Sequence, residues 1–430
     1  MEDYALKEYT IKKSFMYNQK LKSYLPGGVY SNFYHDTSHR LHFTEAKGSR
    51  CIDMDGNEYI DLYNKSGSVF LGHGHPDFIR SIQECIGKNL VSGWPELELE
   101  TFQCVSEAIP CCEQMRFGLS GSEMVANALR LAMAYTGREK IIRFRGHYHG
   151  SSDYMMPDNI ANHMHVIAQQ TVIELPWNNV EAIEKCLEKN DIAAVIMEPL
   201  CINGWGIEPL PGYLECVREL CSQFGTVLIF DEIITGVRTG LGGIQKKLNV
   251  TPDLSLFGKS IGNGIPVTIL AGKRRYMSLY EKRKLVHGGT YNGHIIGIAA
   301  VRATFISLSQ PEVYAQLEKN VDKLKFLILD AAKKSGLDIV IQGGTNCLVL
   351  NCNDTPILEY DECTPIVRKK NDLIRQCMRR YGILAAPLLR LYPNIMLDDN
   401  DLSFFKQQIY LAFLNARQHI DFLERKNHDV

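Results

Sequence analysis

Lys259 lies in the glycine-rich run DLSLFGKSIGNGIP, and Asp231 lies 28 positions upstream in TVLIFDEIITGVR, at the end of a β-branched stretch. A lysine amine can condense with an aldehyde, and a buried carboxylate can hold a protonated ring nitrogen. Pyridoxal phosphate chemistry needs both: the amine links the cofactor as a Schiff base, and the carboxylate keeps its ring an electron sink. Gly258, Gly262 and Gly264 flank the lysine and let backbone approach a bulky ligand closely. Burial near another cation would lower the pKa of the amine and favour its nucleophilic form. The phosphate needs a separate anchor. GLSGSEMVANALRLA runs from a Ser-Gly-Ser turn into an amphipathic helix, where the N–H groups of Gly121 and Ser122, with the Ser122 hydroxyl, offer an anion site. Taken singly, each piece also has an ordinary reading as a solvated lysine, a capping aspartate or a capped helix.

Such groups need a scaffold that brings distant segments together. Between residues 66 and 305, helix-like stretches (Glu123–Tyr135, Val180–Lys189, Tyr213–Phe224) alternate with short apolar runs. The runs Lys140–Phe144, Ala193–Met197, Val227–Phe230 and Leu254–Phe257 predict buried strands of a mostly parallel sheet with helices on both faces. Ligands of such α/β sheets bind beyond the carboxyl ends of the strands, where Asp231 falls. CIDMDGNEYIDLY predicts a hairpin around Asp55-Gly56. A long helix over Pro311–Ser335, strands at Asp338–Ile341 and Cys347–Asn351, and helices near 364–381 and 400–424 complete an α+β end piece. The expected organisation is α/β. Residues 66–305 form a large cofactor-binding domain, and residues 1–65 and 306–430 contribute to a smaller α+β domain.

Composition removes several alternatives. With 430 residues, 45% of them apolar, the chain can bury a sizeable core. A formal charge of −2 gives no electrostatic case for nucleic acid or an anionic membrane as partner. The first residues lack the apolar core of a secretory signal, and the most apolar stretch, near Ile295–Ile306, is interrupted by Arg302. Thirteen cysteines, an odd number without repeated CxxC spacing, predict reduced thiols in the cytoplasm rather than a disulfide framework. His73 with His75, and His147 with His149, form HxH pairs, but no third ligand stands at zinc spacing.

Taken together, PGGVYS (26–31), DMDGNEYIDL (53–62), LGHGHP (71–76), LSGSEMVANALRLAMAYTGR (119–138), FRGHYHG (144–150), MEPL (197–200), LIFDEIITGVR (228–238), LFGKSIGNGIP (256–266) and GGTYNG (288–293) resemble the class III, fold type I, pyridoxal-phosphate aminotransferases. Within that family the likeness is greatest to the glutamate-1-semialdehyde aminomutases. The resemblance implies that Lys259 is the Schiff-base lysine and proton shuttle, and that Asp231 holds the pyridinium N–H. It implies that Gly121 and Ser122 hold the phosphate, with Tyr148 stacked on one ring face and Ile233 packed on the other. Thr290 would reach the cofactor phosphate of a neighbouring subunit, which makes a homodimer the expected assembly. Glu198 and Asn203 would be polar groups on the cofactor or substrate side. The histidine pairs fall in a structural turn and beside the stacking tyrosine.

Three departures bear on the reaction. Tyr34 stands where the aminomutases carry a carboxylate-gripping arginine, and Ser66 where they carry a tryptophan. APLLRLYPNIML replaces their glutamate-bearing segment and resembles the element of other class III enzymes in which an arginine binds the α-carboxylate. Arg390 is the match, and its planar fork suits a carboxylate. Asn394 replaces that element's second proline, and His294 and Ile295 depart from the usual loop after Thr290. The expectation is an aminotransferase using L-glutamate as donor and a small carbonyl acceptor, with an aminomutase or other isomerase as the alternative. Tyr30, Tyr34, Tyr63 and Ser66 suggest a polar, uncharged or phosphorylated acceptor.

Overall fold

The computed structural model describes residues 9–31, 40–88, 93–152, 155, 171–344 and 346–428. Three strands, β1 (Phe43–Lys47), β2 (Arg50–Asp53) and β3 (Glu58–Asp61), form an antiparallel meander. The turn between β2 and β3 closes because Asp53 accepts the N–H groups of Asp55 and Asn57.

A seven-stranded sheet forms the centre. Its strands are β4 (Gln114–Gly118), β5 (Lys140–Phe144), β6 (Val172–Leu175), β7 (Ile192–Met197), β8 (Val227–Asp231), β9 (Leu254–Phe257) and β10 (Thr268–Gly272). They lie in the order β4-β10-β9-β8-β7-β5-β6. β5 to β9 are parallel, and β10 runs antiparallel to both β4 and β9. Every residue of β7 and β8 is buried. Alternation sorts them by face: Ala194 and Ile196 pack with Met124 and Ala128 of the helix Gly121–Thr136, while Val195 and Met197 pack with Ile183 and Leu214 on the other side. Apolar residues at every position are what a doubly covered strand requires.

The expected strands over Lys140–Phe144 and Leu254–Phe257 have the observed bounds. β4 and β10 were not anticipated. β4 (QMRFG) is a polar, half-buried edge strand, and β10 (TILAG), though buried throughout, follows a glycine- and proline-rich segment that masks its short apolar run. The apolar stretch near Ile295 is the buried helix Ile295–Leu308, which packs on the helices Pro76–Lys88 and Pro95–Ala108. Among the described residues no helix is long and apolar enough to cross a membrane. All thirteen cysteines are free.

Beyond residue 310, the helix Pro311–Ser335 leads to β11 (Val340–Gln342) and β12 (Leu348–Asn351). β13 (Ile383–Leu384) joins the N-terminal sheet parallel to β3, and β14 (Arg390–Leu391) pairs with β12. The C-terminal helix Asp399–His428 packs on both Pro311–Ser335 and Pro365–Arg380. Arg238, fully buried, fastens these parts together: Nε donates to the Gly67 carbonyl, and Nη1 to those of Asn346 and Pro393, all at 3.0 Å.

Candidate active site

The carboxyl ends of neighbouring strands place the site. β8 ends on Asp231, β7 is followed directly by Glu198, and Lys259 stands two residues beyond β9. The loop after β5 carries Tyr148, and the helix after β4 begins at Gly121. Lys259, Asp231, Glu198, Asn203 and Tyr148 thereby line one cavity of about 310 Å³. Gly121, Ser122 and Ile233 line it too.

Arg390 lies just behind this wall. Its Nε donates to the Pro387 carbonyl at 2.9 Å, and its Nη1 donates to Asn203 Oδ1. Asn203 Nδ2 in turn donates to Glu198 Oε1 at 2.9 Å, and the same oxygen accepts the Tyr148 N–H at 2.9 Å. A guanidinium, an amide and a carboxylate thus form one relay along the cavity. Thr290 does not line this cavity; its neighbours Gly289 and Asn292 line a second one, beside Phe117 and Tyr280. Tyr34 lies outside the described residues. Tyr30 is exposed, and Tyr63 and Ser66 are partly buried. His294 caps the helix Ile295–Leu308, and Asn394 is buried, accepting a hydrogen bond from Ser49 at 2.8 Å.

Electrostatics favour a reactive amine. Burial, reinforced by Arg390 and opposed by Asp231 and Glu198, pushes the Lys259 pKa down to about 8. Its backbone has φ +45°, a left-handed conformation that costs an L-residue about 1–2 kcal/mol. Glu198 is raised by burial, and Tyr148 by burial and then by Asp231.

His149 is the residue that sequence reasoning undervalued. Its Nδ1 lies 2.8 Å from Asp231 Oδ2, with both side chains buried. This contact fixes the rotamer of Asp231 on one side, while the Ile233 N–H donates to Oδ1 at 3.1 Å. The HYHG run was the available signal, but only the fold shows that its second histidine faces Asp231.

The start of the helix Gly121–Thr136 is shaped for an anion. Ser120 caps it by accepting the Glu123 N–H, and Glu123 reaches back to the Leu119 N–H. The N–H groups of Gly121 and Ser122 lie in the first turn, which no carbonyl of the helix can reach. Gly150, at φ +95°, lets the loop approach this turn, since a Cβ there would stand 2.5 Å from Ser122 Oγ. The Ser151 N–H donates to that hydroxyl at 3.0 Å. One cavity therefore offers an anion cradle, a buried carboxylate oriented by a histidine, and an amine of lowered pKa. Those residues fit pyridoxal phosphate.

Comparison with known proteins agrees. The family profile described as aminotransferase class-III matches residues 31–359. The chain is 35% identical over 426 residues to glutamate-1-semialdehyde 2,1-aminomutase 2 of Brevibacillus brevis, covering 94% of this chain and 99% of that one. It is 37% identical over 419 residues to glutamate-1-semialdehyde 2,1-aminomutase of Desulforamulus reducens, covering 91% and 95%. An omega-transaminase from Sphaerobacter thermophilus shares the fold with a TM-score of 0.88 at 25% identity, covering 97% of this chain and 100% of that one. Profile, relatives and architecture converge, and the chain belongs to the class-III aminotransferase family, as a pyridoxal-phosphate-dependent enzyme of fold type I.

Proposed function

We propose that this enzyme is an aminotransferase that takes the amino group of L-glutamate and passes it to a small carbonyl acceptor. The observation that carries this reading is Arg390. It is 9% exposed, held by Asn203 behind the cavity wall, and close enough to Lys259 to lower its pKa. A guanidinium so placed can grip a substrate carboxylate while the reacting carbon faces the lysine.

The roles follow from position. When bound, pyridoxal phosphate supplies the electron sink that acidifies the carbon bearing the amine. Asp231, oriented by His149, would keep the ring nitrogen protonated. Gly121 and Ser122 would hold the phosphate, and Tyr148 and Ile233 would confine the ring. Lys259 Nζ would take the proton from the donor's amine-bearing carbon and, in the second half of the transfer, deliver one to the former carbonyl carbon of the acceptor. Glu198 and Asn203 fix Arg390. In a homodimer, Thr290 would reach the phosphate held by a second copy.

A second reading, an aminomutase or other isomerase, has one observation in its favour: relatives named glutamate-1-semialdehyde 2,1-aminomutase are 35% and 37% identical. The two readings part on a single half-reaction. Holoenzyme mixed with L-glutamate should release one equivalent of 2-oxoglutarate per site and lose its visible absorbance. Inert glutamate, together with isomerisation of one amino compound and no keto acid, would establish the isomerase.

A further inference from the structure

Another cation lines the cavity, and the backbone presenting it is unusual. Asn64, Lys65, Ser66 and Gly67 adopt φ values of +43°, +51°, +58° and +83° in succession. L-residues visit this region as single residues, so a run of three before a glycine persists only where its surroundings hold it. They do so here. The Asn64 side chain, fully buried, donates to the carbonyls of Asp61 at 2.8 Å and Tyr392 at 2.7 Å. The Asp61 carboxylate accepts the Asn64 N–H at 2.7 Å, and Arg238 holds the Gly67 carbonyl. A side chain at Gly67 would be strained by its φ of +83° and crowded, since a Cβ would lie 3.0 Å from the Tyr392 ring and 3.1 Å from Arg238 Nε.

The clamped turn sets Lys65 and Ser68 on the cavity that holds Lys259 and Asp231. Partial burial lowers the Lys65 pKa. Tyr392 belongs to the segment carrying Arg390 and Arg238 holds Pro393 of the same segment, so the backbone that presents the exposed Lys65 is tied to the backbone that presents Arg390. We propose that Lys65 is a specificity-determining residue that binds a second carboxylate of the substrate, at the end remote from the carboxylate gripped by Arg390. The substrate class is then dicarboxylic amino acids and their keto acids. This rests on the reading of Arg390 given above and names the group that selects glutamate over monocarboxylic donors.

The test is binding to holoenzyme, read from the cofactor absorbance. Glutarate carries both carboxylates and no amine, and valerate lacks one carboxylate. The ratio of their affinities should fall about tenfold to a hundredfold in Lys65→Met and Lys65→Gln, because each loses a charged hydrogen bond. Lys65→Arg should keep most of the ratio. An unchanged ratio in both neutral variants, or equal weakening of the two ligands, would overturn the proposal. If wild-type enzyme releases no 2-oxoglutarate from glutamate, the donor assignment fails, while the glutarate and valerate titration still decides the role of Lys65.

Discussion

The wall of the cavity that bears Lys259 and Asp231 and the second wall, where Lys65 lines the cavity and its turn is tied to the segment carrying Arg390, are built in different ways. The first stands on the carboxyl ends of β7, β8 and β9, each laddered on both sides, in parallel except where β9 meets β10. The second rests largely on irregular backbone, with Arg390 opening only the two-residue strand β14. Lys65 rides a left-handed turn, and Arg390 follows Leu388 and Leu389 at φ +62° and +52°. Side chains distant in sequence hold that wall: Asn64 bonds the Tyr392 carbonyl, Asn394 meets Asn64 at 3.3 Å, and Arg238 bridges Gly67 to Pro393. A regular sheet suits chemistry that never varies, whereas loops fastened by a few side chains can change without disturbing the sheet.

The comparison can be broken first at Lys259. Lys259→Ala should lower amino transfer by about 10³-fold or more, since it removes both the attachment point and the proton carrier. Borohydride should then trap no pyridoxal phosphate on the protein, as read by mass spectrometry. Arg390→Ala should leave the cofactor absorbance intact and weaken glutamate by about 2–5 kcal/mol, read as a raised KM. If instead Arg390→Ala abolishes cofactor retention, the two walls are not separable.

A third prediction concerns the cost of the first wall. Lysine titrates near 10.5 when unfolded and near 8 here, so between those values the unfolded chain binds more protons. Stability of the cofactor-free protein should therefore rise as pH climbs through that window, and the penalty is fully present below it. Lys259→Met removes the titrating group. The cofactor-free variant should be more stable than wild type at neutral pH by about 2–3 kcal/mol, with the gap closing as pH rises, measured by urea unfolding. The smallest expected effect belongs to His149→Phe, which leaves Asp231 without its ring partner. Cofactor affinity should fall about tenfold by equilibrium dialysis, with glutamate KM changed less.

Much of the first wall was legible in the chain. Buried parallel strands need continuous apolar runs, and Lys140–Phe144 and Leu254–Phe257 announce themselves. The helix Pro311–Ser335 is bounded by its N1 proline and by Gly336, and its observed bounds are the expected ones. β4 carries a weak pattern because it is an edge strand that tolerates polar residues, whereas β10 is buried throughout and carries only the short apolar run Ile269–Ala271. The pairing of His149 with Asp231 was not legible, since it joins a loop to the end of a strand 82 positions on. Lys65 is hidden for a related reason: nothing local in NKSG predicts four left-handed residues, which contacts of Asp61, Asn64, Arg238 and Tyr392 hold in place.

The sequence by itself determined the α/β class, the family and the cofactor, because Lys259, Asp231 and the Ser-Gly-Ser helix start lie in runs whose local order encodes their geometry. Tertiary structure decided which distant side chains meet around the cavity. Arg390 meets Asn203 across 187 positions, and Asn64 meets Tyr392 across 328. Contacts of that range depend on how whole layers pack, and no local periodicity carries them.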